Sequence, residues 1–486
     1  MHRQTGQERK LVCSLSFCYS FVVIAIIKPH RFSSLIRVPA SKSHTIRRLL
    51  LASLAEGVSD IEQPLDSLDT RSCLSVCRAL GAKISESPGC WSVRGLPRFS
   101  GQRTPISCDV GNSGTTLLFA LAAAALGNEP VEFIGDEQIR SRSAGPLLDA
   151  LAGLGVTVKS SPSGSVPITV QGPWKGGRVS LPCPTSQYLS ALLLSAPLAD
   201  AGVVTEIDVP LLNERPYIDM TLSYLDNQGI PYEAAQDFSY FRISGGSSFQ
   251  PVSGPVPRDF SSAAFPAAAA VISRSSVTLL GLDPEDLQGD KAFFGFLEKM
   301  GCQVKWEQVP LKCPSVESIP LGDVFPDELH ALGVQTARLC LSEWQLRVSR
   351  SHRLTGGEFD LNDTPDLLPA LAAIACFASG DTTLVNVASA RLKETDRIAA
   401  MAEELRKLGV NITERPDGLI IRGTGSKGAA LLKKEGNYKL NGRQDHRVVM
   451  ALACAALACP GPVEIAGAEY AAVTYPGFLE MLKATK

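Results

Sequence analysis

The segment RLKETDR, Arg391 to Arg397, places five charged side chains within seven residues, between an apolar strand pattern and an Ala-rich helix pattern. Lys393 and Arg397 supply cations, while Glu394 supplies an acid that can transfer protons. Thr395 is expected to cap the helix that follows. A cation in the first turn of a helix opposes the macrodipole unless an anion binds nearby. Taken alone, however, this charge run is more typical of a solvated turn.

The same kind of corner precedes six apolar, Ala-rich helix patterns. Its polar segments are SKSHTIRR (41–48), GNSGTT (111–116), PTSQ (184–187), DFSS (259–262), NDTPD (362–366) and QDHR (444–447). Ser, Thr, Asn and Asp are ordinary N-caps, which accounts for each segment singly. Arg47, Arg397 and Arg447 are expected in first helical turns, so cations accumulate at the same ends. This accumulation predicts a shared pocket for anionic ligands.

A repeated unit positions these corners. Helix ends followed by a Gly and a short strand recur, and the turn glycines are Gly81, Gly155, Gly229, Gly301 and Gly409, spaced by 74, 74, 72 and 108 residues. With a sixth copy at the C-terminus, the pattern predicts six similar α/β units. The Ala-rich helices are apolar nearly all round, so we expect them to be buried with sheets outside. The Gly/Ser/Pro-rich stretch 245–257 predicts two lobes of three units and a cleft between them.

Two segments stand outside the repeats. The long interval before Gly409 indicates an insertion near 307–354, to which the sequence assigns no role. Residues 11–27 are apolar and resemble the core of a signal peptide, but no small-residue cleavage site follows them. We therefore expect residues 1–28 to be a dispensable extension or a misassigned start rather than a targeting signal.

Composition excludes several classes of function. Lys plus Arg number 47 against 49 Asp plus Glu, so the chain has no global basic field for nucleic acid or an anionic membrane. Its 13 cysteines form no CxxC pair, and the closest spacing, Cys73 and Cys77, lacks a second pair or a nearby histidine. Reduced thiols are expected, and a structural metal is not.

The motifs SKSHTIR, NSGTT, RPYIDMT, KETDR and QDHR, in order from Val38 to Phe478, resemble the 5-enolpyruvylshikimate-3-phosphate synthase family of 3-phosphoshikimate 1-carboxyvinyltransferases. The resemblance implies a two-lobed inside-out α/β barrel of six βαβαββ units, with lobes at 40–254 and at 29–39 plus 255–486. It also implies transfer of the enolpyruvyl group of phosphoenolpyruvate to the 5-hydroxyl of shikimate 3-phosphate through a tetrahedral intermediate. No cofactor or metal is expected, and the enzyme is expected to be a cytoplasmic monomer.

Roles follow from motif position under this resemblance. Shikimate 3-phosphate is expected to contact Lys42, Ser43, Arg47, Thr185, Ser186, Gln187, Tyr217, Asp366 and Lys393. Phosphoenolpyruvate is expected to contact Lys42, Asn112, Gly114, Arg142, Gln187, Arg397 and Arg447. Asp366 and Glu394, assisted by Lys42, are the expected proton carriers. The alternatives are that Asp366 only caps a helix and that Glu394 only pairs with a cation.

The substrates explain these residue types. Two phosphates and two carboxylates bring roughly five to six negative charges into one cleft. Arginine side chains and helix ends can offset that charge at fixed geometry.

Several positions depart from the commoner family pattern, namely Leu118, Ser143, Glu214, Ser389 and Val473. Glu214 replaces a serine that commonly contacts the substrate phosphate, and its carboxylate is expected to repel that phosphate. Val473 stands where some members carry a lysine, so one phosphoenolpyruvate contact is expected to be missing.

Three other functions remain in view. A UDP-N-acetylglucosamine enolpyruvyl transferase shares the six-unit plan, but it lacks the KETDR and DHR pair. A non-catalytic phosphometabolite binder would keep the arginines without both acids. A ring-like nucleic-acid clamp fits six repeats, yet a net charge of −2 supplies no basic channel.

Overall fold

The computed structural model describes residues 22–96, 106–310, 342–350, 353–425 and 438–484 of the 486-residue chain. Its α-helices are α1 (Lys42–Leu54), α2 (Leu68–Ala79), α3 (Gly114–Ala124), α4 (Glu137–Arg140), α5 (Gly145–Gly153), α6 (Gln187–Ser195), α7 (Arg215–Asn227), α8 (Phe260–Ile272), α9 (Ala292–Lys299), α10 (Leu368–Ala375), α11 (Arg397–Lys407), α12 (His446–Ala456) and α13 (Phe478–Lys483).

The strands are β1 (Ile24–Ile27), β2 (Ser34–Arg37), β3 (Val58–Glu62), β4 (Lys83–Ser87), β5 (Cys90–Arg94), β6 (Ile106–Asp109), β7 (Val131–Ile134), β8 (Thr157–Lys159), β9 (Ile168–Gln171), β10 (Gly177–Ser180), β11 (Val204–Asp208), β12 (Tyr232–Ala234), β13 (Tyr240–Ser244), β14 (Gly254–Pro255), β15 (Ser276–Leu280), β16 (Gln303–Pro310), β17 (Ser342–Ser349), β18 (Glu358–Asp360), β19 (Asp381–Val385), β20 (Asn411–Arg415), β21 (Gly418–Arg422), β22 (Tyr438–Asn441) and β23 (Val463–Ala466).

Within the described residues the strands form six small sheets, one for each predicted unit. In the second unit, β6 runs parallel to β7, β7 runs antiparallel to β9, and β9 runs antiparallel to β8. The same order of one parallel and two antiparallel pairings recurs in the third and fifth units. The predicted α/β fold of repeated units is confirmed.

The Ala-rich helices lie inside the sheets. Helices α1, α3 and α6 pack together in one half of the molecule, and α8, α10 and α12 pack together in the other. All 13 residues of α8 are buried. Alanine side chains are small enough to let these helix backbones approach closely, while the sheets cover them from outside. A helix that is apolar all round has no solvent face, which is why the sheets surround it.

Two hydrophobic cores define two lobes. The first lobe has its core between Ala40 and Val256. The core of the second lobe combines residues 25–38 with residues from Phe260 to Leu482. The chain crosses between the lobes twice, because β2 pairs in parallel with β15 and β14 pairs in parallel with β3. The first crossing follows β2, which completes a sheet of the second lobe. The second crossing follows β14, which completes a sheet of the first lobe.

The N-terminal extension is shorter than the expected range 1–28. Residues 24–27 form β1, which pairs antiparallel with β23 in the sheet of the sixth unit. Ala25 and Ile27 are buried in the core of the second lobe. The C-terminal end of the apolar run 11–27 is therefore a β-strand whose side chains alternate between buried and exposed. Residues 1–21 lie outside the described part of the chain.

The predicted insertion near 307–354 is also narrower than expected. Residues 307–310 continue β16, and residues 342–349 form β17, which pairs with β16 along its whole length. The remainder of the predicted insertion, residues 311–341, lies outside the described residues. Among the helices that the structure describes, none is long and apolar enough to cross a membrane.

Ile27→Ala tests whether β1 is part of the core. The Ile27 side chain is 1% exposed, so its truncation is expected to lower the free energy of unfolding by about 2–5 kcal/mol. Ile26→Ala, at a side chain that is 53% exposed in the same strand, is the control and is expected to cost less than about 1 kcal/mol. Denaturant unfolding measures both, and equal effects would show that β1 does not dock on the core.

Candidate active site

The N-terminal ends of the central helices meet at a cleft between the two lobes. The cleft contains about 1150 Å³ of empty space, including the part that is open to solvent. Thirteen predicted site residues line it, namely Lys42, Ser43, Arg47, Gly114, Arg142, Thr185, Ser186, Gln187, Tyr217, Asp366, Lys393, Glu394 and Arg447. Residues that are far apart in the sequence are therefore brought to one place.

Two local predictions about the helix ends are wrong. The N-cap of α11 is Asp396, whose carboxylate accepts a backbone N–H of the first turn, and not Thr395. Helix α1 begins at Lys42, so Arg47 lies in its second turn rather than its first. The macrodipole argument for an anion site therefore applies to Lys42 and not to Arg47.

Arg397 lies beneath the cleft floor and is only 1% exposed. Its Nε donates to Asp445 Oδ2 at 2.7 Å, its Nη1 donates to Asp366 Oδ1 at 2.7 Å, and its Nη2 donates to Glu394 Oε2 at 2.6 Å. The predicted contact between Arg397 and phosphoenolpyruvate stays a prediction. In this structure Arg397 holds three acids in position.

Asp366 joins Arg397 to the other cations of the cleft. Arg447 Nη2 lies 2.8 Å from Asp366 Oδ2, and Lys393 Nζ lies 3.8 Å from Asp366 Oδ1. Burial alone would raise the pKa of Asp366, but Arg447, Lys393 and Arg397 together hold it well below its usual range. Asp366 is therefore ionised at neutral pH.

Glu394 sits in a similar electrostatic environment. Burial raises its pKa, but Arg397 and Arg142 more than offset this effect and hold the pKa well below its ordinary value. His446 is 1% exposed, and its Nε2 has no hydrogen-bond partner. Burial lowers the pKa of His446 well below 6.5, so the imidazole is neutral. The neutral imidazole is therefore a weak base in this structure.

Among the described residues, Glu394, Asp445 and His446 form a group whose ligand atoms lie within 4.8 Å of one another. Asp445 already accepts hydrogen bonds from Arg397 and from backbone N–H groups at the start of α12. Lys42 and Arg397 also lower the pKa of His446 through their positive charge, which would oppose a bound metal cation as well. The charge environment favours an anion here.

Lys42 and Arg142 stand on the first-lobe side of the cleft. Lys42 Nζ donates to Asp69 Oδ2 at 2.9 Å. Arg142 Nη2 lies 3.7 Å from Glu394 Oε1, and neither its Nε nor its Nη2 has a hydrogen-bond partner in the described part of the chain. A Cβ on Gly114 would lie 3.0 Å from Arg142 Nη1. The glycine therefore leaves room for a guanidinium that has donors available to a ligand.

Among the described residues, the buried Arg47 donates hydrogen bonds to hydroxyl and carbonyl oxygens and to no carboxylate. Its Nε donates to Thr221 Oγ1 at 3.0 Å, and its Nη2 donates to the Tyr217 carbonyl at 3.3 Å. The guanidinium carbon also lies 5.1 Å from the centre of the Phe119 ring. Burial lowers the pKa of Arg47 to about 10, so it remains charged at neutral pH.

Asn112 was expected to contact phosphoenolpyruvate, but it is not among the described residues that line the cleft. Its amide nitrogen donates to Gln138 Oε1, and its Oδ1 has no partner. Gln138 in turn donates to the Gln444 carbonyl of the second lobe at 3.0 Å. Asn112 therefore helps to join the lobes at the rim. Of the departing positions, those in the cleft wall are Leu118, Ser143, Glu214 and Ser389, while Val473 is buried beside the wall.

Sequence reasoning missed several acids around the cleft. Asp69 pairs with Lys42, and Asp259 with Ser261 lines the second-lobe wall. Asp290 lies behind Ser261, is fully buried and has one oxygen without a partner. Of these acids, only Asp259 was indicated by the sequence, because it begins the DFSS segment. Asp290 gives no sequence signal because it lies in a short 3₁₀ turn, 289–291, outside the repeated motifs.

Comparisons with known proteins agree with this arrangement. The family model for EPSP synthase (3-phosphoshikimate 1-carboxyvinyltransferase) matches residues 26–482. The 3-phosphoshikimate 1-carboxyvinyltransferase of Acetivibrio thermocellus is 43% identical, covering 94% of this chain and 96% of that protein. Its counterpart in Ruminiclostridium cellulolyticum is 41% identical, covering 93% and 96% respectively. A solved EPSP synthase structure from Acinetobacter baumannii aligns with a TM-score of 0.73 at 23% identity, covering 95% of this chain and 97% of that one, which shows the fold.

Asp290→Asn is expected to stabilise the protein at neutral and higher pH. Burial, with the charge of Asp366, raises the pKa of Asp290 from 3.8 to about 7. Between these values the folded state keeps a proton that the unfolded chain releases, so stability falls as pH rises through this window. Asn needs no proton and can still accept from Ser261. Its stabilising effect should therefore be larger at pH of about 8 than at about 4.

Thermal unfolding across this pH range measures the effect. Asp283→Asn, at an exposed site in the preceding loop, is the matched control. A melting-temperature difference for Asp290→Asn that stays constant with pH would contradict the assignment of a raised pKa.

Proposed function

Because this chain belongs to the EPSP synthase family, we propose that it transfers the enolpyruvyl group of phosphoenolpyruvate to the 5-hydroxyl of shikimate 3-phosphate, releasing phosphate. The observation that carries the proposal is the arrangement of Asp366 and Glu394 on separate nitrogens of the buried Arg397. Both carboxylates reach the cleft floor, where the cations of both lobes surround them. The site thus combines two proton carriers with a strong affinity for anions.

Addition needs two proton transfers, and elimination needs two more. The 5-hydroxyl oxygen forms a bond to C2 of phosphoenolpyruvate and loses its proton, while C3 gains a proton. Collapse of the tetrahedral intermediate breaks the bond between C2 and the phosphate oxygen, C3 returns its proton to the group that supplied it, and the hydroxyl proton passes from its base to the departing phosphate. We assign the hydroxyl proton to Asp366, which lies beside Lys393 on the acceptor side. Glu394, which lies between Arg397 and Arg142, is assigned to C3.

The depressed pKa values of these acids constrain the mechanism. A carboxylate whose pKa lies far below the working pH is a weak base. Substrate phosphates and carboxylates compete for the same cations, and they add negative charge beside Asp366 and Glu394. Both effects raise the carboxylate pKa values toward neutrality. Substrate binding would therefore make Asp366 a stronger base for the hydroxyl proton and would let Glu394 hold the proton that C3 gains, whereas in the unliganded enzyme both carboxylates are ionised and weakly basic.

The remaining expectations rest on the same geometry. One chain contributes all 13 of the predicted residues that line the cleft, so a monomer suffices for the proposed reaction. The proposed partners are the two small substrates, without nucleic acid, and the proposed location is the cytoplasm. No cofactor takes part in the proposed steps.

Phosphate release tests the proposed activity. Purified protein with phosphoenolpyruvate and shikimate 3-phosphate is expected to release inorganic phosphate and to form the enolpyruvyl ether. UDP-N-acetylglucosamine replaces shikimate 3-phosphate in the control reaction. Release with the nucleotide sugar alone would assign the chain to the other enolpyruvyl transfer reaction, and no release with either acceptor would favour a non-catalytic binder.

Glu394→Gln tests the proton carrier. The amide keeps the shape of the side chain but cannot exchange the proton, so kcat is expected to fall by about 100- to 10,000-fold. The dissociation constant for phosphoenolpyruvate should change much less, since Gln retains an acceptor for Arg397. Glu403→Gln, at an exposed site on α11, is the control. An unchanged kcat for Glu394→Gln would remove this residue from the mechanism.

A further inference from the structure

Glu214 places a carboxylate of the chain itself inside the cleft. The residue is 2% exposed and precedes α7. Its backbone has a φ of 59°, in the left-handed region, which is strained for a residue with a Cβ. The surrounding contacts must compensate for that strain, and they do so through the carboxylate.

The two carboxylate oxygens engage four donors. Glu214 Oε2 accepts from Thr185 Oγ1 at 3.0 Å, from Ser186 Oγ at 2.9 Å and from the Ser186 backbone N–H at 3.1 Å. Glu214 Oε1 accepts from Lys393 Nζ, which belongs to the second lobe. Two hydroxyls and a backbone N–H at the start of α6, with an ammonium opposite, form a site suited to an oxyanion.

A second anion cannot use these donors while Glu214 holds them. A phosphate group brought to this corner would meet the Glu214 carboxylate at contact distance, and the like charges would repel in a partly desolvated cleft. Lys393, which is 14% exposed, already has Glu214 and Asp366 as counter-charges. The donors of Thr185, Ser186 and Lys393 thus already have an anionic partner within the chain.

We propose that Glu214 is a specificity-determining residue that competes with the phosphate of the acceptor for Thr185, Ser186 and Lys393. The inference rests on the proposed function and concerns how its acceptor is selected. Glu214 weakens binding of the phosphorylated acceptor and leaves binding of the same cyclic hydroxy acid without its phosphate nearly unaffected. Glu214 therefore reduces the preference for the phosphorylated acceptor over the unphosphorylated one.

Two substitutions separate the charge of Glu214 from its structural role. Glu214→Gln keeps the length of the side chain and removes the charge. Glu214→Asn also removes the charge, and Asn is among the residues that adopt positive φ most readily. Glu233→Gln, which removes an exposed carboxylate of the same lobe outside the cleft, is the matched control. Circular dichroism and the melting temperature establish that each variant is folded.

Calorimetric titration with shikimate 3-phosphate, shikimate, inorganic phosphate and phosphoenolpyruvate gives the test. In both Glu214 variants, shikimate 3-phosphate and inorganic phosphate are expected to bind about tenfold tighter, whereas affinity for shikimate should change by less than about twofold. Affinity for phosphoenolpyruvate should stay within the same narrow range. Phosphate affinities that are unchanged or weaker in a folded variant would overturn the proposal, and so would an equal gain for shikimate.

Turnover of the same proteins distinguishes this inference from the proposed function. Tighter phosphate binding in the Glu214 variants without enolpyruvyl transfer in any protein would support the role of Glu214 and refute the proposed activity. Transfer by the wild-type protein, with no gain in phosphate affinity in the variants, would support the activity and refute the role of Glu214.

Discussion

The guanidinium of Arg397 pairs with three carboxylates below the cleft floor, and the geometry of the site depends on this cluster. A buried charge is costly unless it is paired and hydrogen-bonded. Arg397 satisfies Asp445, Asp366 and Glu394 through its different nitrogens. Asp445 also caps α12. The cluster therefore connects the start of α11, where Arg397 lies, to the start of α12. Loss of the arginine would leave the fully buried Asp445 without its cation, whereas Asp366 would keep Arg447 and Lys393.

Charge pairing continues from this cluster across the cleft. Lys42 pairs with Asp69, Lys393 with Glu214 and Arg447 with Asp366. An anionic substrate would therefore meet these three cations already paired, although Arg142 keeps donors available to a ligand. In the proposed mechanism it exchanges with carboxylates of the chain, which then lose their counter-charges and become stronger bases. The same cations would thus determine both the affinity for anionic substrates and the basicity of the carboxylates. For this reason a single additional acid, Glu214, could alter acceptor selection.

The repeated units, the buried helices and the convergence of their polar corners were predictable from the sequence because each depends on local periodicity. The pairing of acids with cations was not. Arg397 and Asp445 are 48 residues apart, and Lys393 and Glu214 are 179 apart and lie in different lobes. Only the tertiary arrangement sets such contacts. The cap at Asp396 and the strand at residues 24–27 were missed for another reason, since neighbouring Thr395 and a signal-like apolar run offered equally good local patterns.

A double-mutant cycle between Arg397 and Asp445 tests the central role of this cluster most directly. Arg397→Gln, Asp445→Asn and the double variant would be unfolded in denaturant beside the wild-type protein. Asn keeps an acceptor for the start of α12, so the cycle isolates the charge interaction. A coupling free energy of about 2 kcal/mol or more is predicted for this buried pair. A coupling below about 0.5 kcal/mol, as for an exposed ion pair, would contradict the account.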